Sequence, residues 1–351
     1  MKQETNHLFN FNEDKKVTFE ELHIRHLNLL IDLRSNKLNN WFLKMAIINT
    51  FDDLKIFLNH LKKNKHKCII AIEEKKIIGY LNIFPLNDKG TCLRISKPNL
   101  MNIKASITEK DLMVGLIKKS ISITDIKTSS WVINSDIENN HLISSARELG
   151  FQPLEKVKLW SNNKINKSNK KSNEKSYSID EFQEISKLNF INVLNFIRSN
   201  QSPLIRAILD LSQKDISNRN DLNSGAVIYK GSVLCTILKD INFQDRNIYT
   251  LTIGKSWDNR LNRILKHILY NFFEKSPFSI VKTCEDNTEL NSYLENSGFI
   301  DKYQEIILVR NTIIKNEYKQ INKINQSLES IFEKLNPQGN PYPSPFPLKS
   351  K

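Results

Sequence analysis

Two short stretches carry residue types that could hold an anion. NIKASITEKDLMVGL places Lys104, Ser106 and Thr108 just before a helical pattern, and SWDNRLNRIL places Asn259, Arg260, Asn262 and Arg263 at the start of another. The first N–H groups of a helix lack intrahelical partners and lie at the positive end of its dipole, so such starts favour phosphate or carboxylate groups. The competing reading is an ordinary capped start, with Thr108 capping the first helix and Asp258 the second. Neither NIKASIT nor SWDNR contains glycine, which would let a backbone approach a phosphate closely. Asn259 and Asn262 tolerate left-handed backbone better than most residues, which makes the second loop the better cradle. Cys68, Cys92, Cys235 and Cys284 lie far apart with no C-x-x-C pair, and His66, His141 and His267 stand singly, so neither a metal site nor a disulfide framework is expected.

These residues need elements to position them. CIIAIEEKKIIGYLNIFPL reads as two strands about a charged turn at Glu73–Lys76, TCLRIS as a third strand, and ITEKDLMVGLIKKSISI as an amphipathic helix. SSWVINS then reads as a strand, ENNHLISSARELG as a helix closed by Gly150, and FQPLEKVKLWS as a returning last strand. The order recurs downstream: GAVIYKGSVLCTILK as a hairpin turning at Lys230 and Gly231, NIYTLTIG, NRLNRILKHILYNFFEK, FSIVKTC, NTELNSYLENSG closed by Gly298, and DKYQEIILVRN. Hairpin, strand, helix, strand, helix, strand, twice over, implies an internal duplication.

A chain of 351 residues exceeds what one core usually supports. The expected organisation is α/β (α+β), two tandem domains at 1–160 and 179–311. Each should hold a mixed, mostly antiparallel sheet flanked by helices. A Ser/Asn/Lys linker at 161–178 joins them, and an amphipathic helix at 312–335 and a proline-rich tail at 336–351 follow. The helix and the tail are candidate contacts for a protein partner. The net charge of +14 suggests an anionic partner, but no long basic run interleaved with aromatics appears, so nucleic acid is disfavoured. No run of ~18 apolar residues and no apolar leader occurs, so a cytoplasmic protein that neither spans nor binds a membrane is expected.

INSDIENNHLISSARELGF and CEDNTELNSYLENSGF each run strand, Asn, helix, Gly-Phe, which resembles the N-x-x-A-x-x-x-Y-x-x-x-G-F segment of the GNAT superfamily of acetyl-CoA-dependent N-acetyltransferases. The resemblance implies acyl transfer from acetyl-CoA or another acyl-CoA to an amine acceptor, with no metal. It implies cofactor contacts at Asn139 and Asn287, and assigns the two helix-start loops to the pyrophosphate. The superfamily's R/Q-x-x-G-x-G/A cradle is missing from both copies. Its Tyr position falls on Ala146 and Leu294, which leaves Tyr293, displaced by ~100° around the helix, as the candidate proton donor. The apparent strands TCLRIS and IYTLTIG carry no Asp, Glu or His as a base. The expectation is therefore an N-acyltransferase whose second copy is the better cofactor binder; a non-catalytic binding or scaffold protein that keeps the fold is the alternative.

Overall fold

The computed structural model describes residues 17–30, 43, 46–47, 66–101, 105–124, 127–162, 182–241 and 247–312. Lys104, most of the expected linker, most of the 312–335 helix and the whole proline-rich tail lie outside these residues. The first half of the sequence contributes β1 (Thr18–Glu21), α1 (Leu27–Leu30), β2 (Lys67–Glu73), β3 (Lys76–Pro85), β4 (Cys92–Ile95), β5 (Asn99–Leu100), α2 (Glu109–Ser122), β6 (Ser130–Asp136), α3 (Asn140–Glu148) and β7 (Gln152–Ser161). The second contributes β8 (Phe182–Gln183), α4 (Phe190–Asn200), α5 (Pro203–Leu209), α6 (Gln213–Arg219), β9 (Gly225–Tyr229), β10 (Ser232–Lys239), β11 (Ile248–Ile253), α7 (Leu261–Lys275), β12 (Ile280–Cys284), α8 (Thr288–Asn296) and β13 (Ile300–Asn311). The mixed sheet with flanking helices, repeated in the same order, is the architecture expected from the sequence.

Local chemistry explains the element boundaries. Both hairpins turn through two left-handed residues, Glu74 and Lys75 in one and Lys230 and Gly231 in the other, and this handedness matches the twist of the flanking strands. Thr108 caps α2, its Oγ1 accepting the Asp111 N–H at 3.1 Å. Helices α3 and α8 end alike. Phe151 N–H donates to the Ala146 carbonyl and Gly150 N–H to Arg147; Phe299 and Gly298 repeat this onto Leu294 and Glu295, with each glycine near φ +85°. This 6→1 and 5→2 pairing satisfies the last carbonyls and needs a left-handed residue, which is why glycine stands at both positions.

The strand order is β1-β2-β3-β4-β6-β13-β7-β12-β11-β10-β9-β8, with β5 added onto β3. Each half therefore lends its closing strand to the other. β13 lies against β6, and β7 lies between β13 and β12, antiparallel to both. The sequence reading has each closing strand return to its own half, whereas the structure exchanges them, because alternation of side chains fixes which face of a strand is buried but not which neighbour it pairs. One continuous sheet results. Strands β4 and β6 and strands β11 and β12 are the parallel pairs of the two halves.

Alternate residues feed two layers. On one face Leu93, Ile95, Trp131 and Ile133 pack under α2 and α3, and Tyr249, Leu251 and Val281 pack under α7 and α8. Trp160 belongs to the second of these cores although the first half supplies it. The other face turns inward: Phe84, Cys92, Val132 and Val309 meet Ile208 of α5, and Val157 and Leu159 meet Ile280. The sheet curls until Arg94 of β4 donates to the Ile241 carbonyl at 2.7 Å and Asn87 to the Leu209 carbonyl at 2.9 Å, which encloses part of this inner face.

Candidate functional site

Strands β4 and β6 pair in parallel from Cys92 with Ser130 to Ile95 with Ile133 and then part. At Ser96 the chain turns back toward β3, exchanging Ser96 N–H to the Asn82 carbonyl at 2.8 Å and Asn82 N–H to Ser96 Oγ at 2.9 Å, while β6 runs on to Asp136. A cavity of about 600 Å³ opens where they part. Its near end holds Lys97, Asn134, Asp136 and Glu305, and its far end Arg94, Asp240 and Lys282. Lys97 Nζ lies 2.8 Å from Asp136 Oδ2 and 3.5 Å from Glu305 Oε1. Asn134 Nδ2 donates to Glu305 Oε2 at 3.0 Å, while the buried Asn134 Oδ1 has no donor. Glu305 itself is buried and arrives on the exchanged strand β13. A second hollow of about 750 Å³ shares Asp136, Asn139 and Tyr303 with the first.

The far end is a buried charge cluster. Lys282 Nζ is bonded to Asp240 Oδ2, and Arg94 Nη1 lies 3.5 Å from the same oxygen. Burial alone would raise the Asp240 carboxyl; Arg94, Lys282 and Arg219 outweigh it and hold the group well below the usual carboxylate range. Arg219 Nη2 donates to the Leu86 carbonyl at 3.0 Å.

The residues singled out at the helix starts sit elsewhere. Thr108 is the α2 cap, and its hydroxyl donates to Asp111 Oδ2 at 2.7 Å. Ser106 N–H donates to both oxygens of Glu73, at 3.0 and 3.2 Å, so a buried carboxylate from the end of β2 already occupies that loop. Glu109 and Asp111 add two more acids to the first turn of α2. Asn139 caps α3, accepting the Leu142 N–H at 3.0 Å, and among the described residues is the one predicted residue that lines the cavity.

In the second half Trp257 N–H donates to Glu289 Oε2 at 3.1 Å, and Arg260 N–H to Asp258 Oδ1 at 2.9 Å. The Arg260 guanidinium grips the same Asp258, holding that carboxyl down at about 2, and lies 4.6 Å from the centre of the Tyr229 ring. Asn259 is exposed, its carbonyl accepting the Asn262 N–H at 3.3 Å, and Arg263 lies within α7, its side chain outside the described residues. Asn262 Oδ1 accepts the Trp257 indole N–H at 3.0 Å, and its carbonyl accepts the Tyr293 hydroxyl at 2.8 Å. Tyr293 thus ties α8 to the start of α7, and burial pushes its phenol upward. Asn287 precedes α8 without a side-chain cap. Where β11 and β12 part, beyond Thr250 and Lys282, Trp160 Nε1 donates to Thr283 Oγ1 at 2.8 Å and Thr283 to Asn291 Oδ1 at 2.7 Å.

Burial pushes the Cys92, Cys235 and Cys284 thiols to about 12, so none of these three presents a thiolate near neutral pH. Among the described residues no group of three or more His, Cys, Asp or Glu is placed to hold a metal, and no helix is long and apolar enough to cross a membrane. Sequence reasoning missed Arg94, Lys282 and Glu305. Arg94 and Lys282 are each the one charge of a short strand, CLRI and IVKTC, a pattern that marks an inward charge once the strand is known to be central, whereas Glu305 shares β13 with Asp301, Lys302 and Arg310 and nothing in that strand singles it out.

No protein-family model and no curated protein matches this chain. Among solved structures it is similar to a tandem GNAT protein from the clavulanic acid biosynthesis pathway, 9% identical over 85% of this chain and 99% of that one, TM-score 0.47. It is also similar to a putative acetyltransferase from Pyrococcus horikoshii, 9% identical over 88% and 93%, TM-score 0.44. A third similar structure is an N-myristoyltransferase from Saccharomyces cerevisiae, solved with bound myristoyl-CoA, 10% identical over 88% and 81%, TM-score 0.43.

Proposed function

We propose that this chain is an acetyltransferase-like protein that binds an amine-bearing ligand in the cavity where β4 and β6 part. The observation that carries the reading is Lys97: its own ammonium lies between Asp136 and Glu305, at 2.8 and 3.5 Å, so the site already holds an alkylammonium between two carboxylates. A buried acceptor without a donor is costly, and Asn134 Oδ1 is one; a ligand N–H would satisfy it. Displacing the partly exposed Lys97 side chain toward solvent would free both carboxylates for the incoming amine.

The helix-start loops do not fit the pyrophosphate of an acyl-CoA. The Ser106, Trp257 and Arg260 amides are taken by Glu73, Glu289 and Asp258, and those carboxylates would repel the incoming anion. Binding without transfer is therefore the leading reading. Acyl transfer to the bound amine is the second, and it is favoured by Glu305, a carboxylate beside the parting strands within reach of an amine proton.

One set of titrations separates the two. Thermal unfolding is followed with butylamine, with 1,5-diaminopentane and with acetyl-CoA, each raised to millimolar concentration. A ligand at 100 times its dissociation constant adds ~2.7 kcal/mol of stability. The binding reading expects stabilisation by the amines and none by acetyl-CoA. Stabilisation by acetyl-CoA, with free thiol released on adding amine, establishes transfer instead, and no response to any of the three overturns both.

A further inference from the structure

Among the described residues, the far end of the same cavity is short of negative charge. Three cations, Arg94, Lys282 and Arg219, act on the single carboxylate Asp240, and one oxygen of that carboxylate faces both Arg94 and Lys282. The other nearby acid, Asp215, accepts from the Ser212 N–H and hydroxyl and from the Asp88 N–H, and its charge acts on Arg219, which leaves the cluster with one cation in excess. Arg94 Nε and Arg219 Nε are buried without acceptors. Buried cations are normally matched one for one by anions and by a full set of hydrogen bonds, and this group falls short of both. Arg94 and Lys282 line the cavity, so an anionic group entering it would supply the missing charge.

We infer that the ligand of this cavity is zwitterionic, with its amine held at Asp136 and Glu305 and an anionic group, carboxylate or phosphate, held at Arg94 and Lys282. The amine end rests on the function proposed above; the anionic end rests on the charge cluster. The sheet sets the separation. Glu305 pairs with Val157 and Lys282 with Leu159, so the two lie two strands and two residues apart. At ~4.8 Å per strand and ~3.3 Å per residue their Cα atoms are ~12 Å apart, and both side chains reach inward, which suits an ω-amino acid of several carbons or its phosphate counterpart.

The test uses the full chain and calorimetric titration with four probes: 5-aminopentanoate, pentylamine, pentanoate and 3-aminopropyl phosphate. The expected result is at least ~10-fold tighter binding of a zwitterion than of pentylamine, since a hydrogen bond to a charged group is worth that much or more. In Lys282→Met that advantage should vanish, so that 5-aminopentanoate binds no more tightly than pentylamine. If this variant fails to fold, Lys282→Gln, which keeps a hydrogen-bond donor for Asp240 and removes only the cation, should show the same loss. Tighter binding of the phosphate or of the carboxylate names the anion. Equal binding of 5-aminopentanoate and pentylamine, or an advantage that survives loss of Lys282, overturns the inference and leaves the amine site standing. Pentanoate binding as tightly as 5-aminopentanoate, with no response to pentylamine, overturns the amine site itself.

Discussion

Replacing Trp160 with Ala should destabilise the second half of the protein more than the first, although Trp160 belongs to the first half of the chain. The side chain is 2% exposed and packs with Val281, Tyr249 and Leu251 beneath α7 and α8. Truncating a buried Trp costs ~3 to 5 kcal/mol through lost transfer energy and the cavity left behind. The lost indole bond to Thr283 adds ~1 kcal/mol, because Thr283 keeps Asn291 as a partner. The total, roughly 4 to 6 kcal/mol, is a large share of the ~5 to 15 kcal/mol that holds a typical domain. Urea denaturation measures the loss, and amide hydrogen exchange locates it. Protection should fall first in β11, β12 and α7, with β2, β3 and α2 less affected. Loss confined to β2, β3 and α2 would refute the strand exchange, and with it the delivery of Glu305 to the β4–β6 cavity.

Other consequences follow from single residues. Glu305→Gln should abolish or strongly weaken the thermal shift caused by pentylamine while the protein without ligand still unfolds cooperatively. Asp240→Asn should cost ~3 to 5 kcal/mol in urea denaturation, because it leaves Arg94 and Lys282 buried without their counter-ion. Since the folded Asp240 carboxyl titrates below its unfolded value, its contribution is present above the unfolded pKa and is lost as pH falls through the folded one; the wild type should lose stability in acid more steeply than Asp240→Asn. Gly150→Ala and Gly298→Ala should each cost ~1 to 2 kcal/mol by backbone strain alone, since an added Cβ meets nothing within 4 Å at either site, and the two losses should add.

What was legible in the sequence is what local chemistry determines. The Gly-Phe pairs mark two helix ends, Thr108 marks a helix start, and Lys230-Gly231 marks a hairpin, because in each case the residue answers a backbone demand within a few positions. The exchanged strands were not legible. Nothing in FQPLEKVKLWS says whether its partner is β6, some twenty residues back, or β12, more than a hundred ahead. The cavity is assembled by that exchange, so Glu305, Asn134 and Lys282 converge from strands that the sequence reading kept in separate halves. The carboxylates that close the helix-start loops were illegible for the same reason: Glu73 reaches Ser106 across 33 positions and Glu289 reaches Trp257 across 32.

The two loop closures make one physical argument. Glu73 stands at the end of a strand and Glu289 in the first turn of a helix, so the halves reached a carboxylate on a loop amide by different routes. A tethered carboxylate is present at high effective concentration, and a free anion must displace it while bearing its repulsion. In the second half Asp258 also takes the adjoining Arg260 amide and grips its guanidinium, which removes the cation that would have drawn an anion in. The electrostatic demand left open lies instead on the inner face of the sheet. There Arg94, Lys282 and Arg219 share one carboxylate, while Asp136 and Glu305 share one ammonium that can swing away. On the proposed reading, the ligand is recognised in the space enclosed by the curled sheet and not at the helix starts.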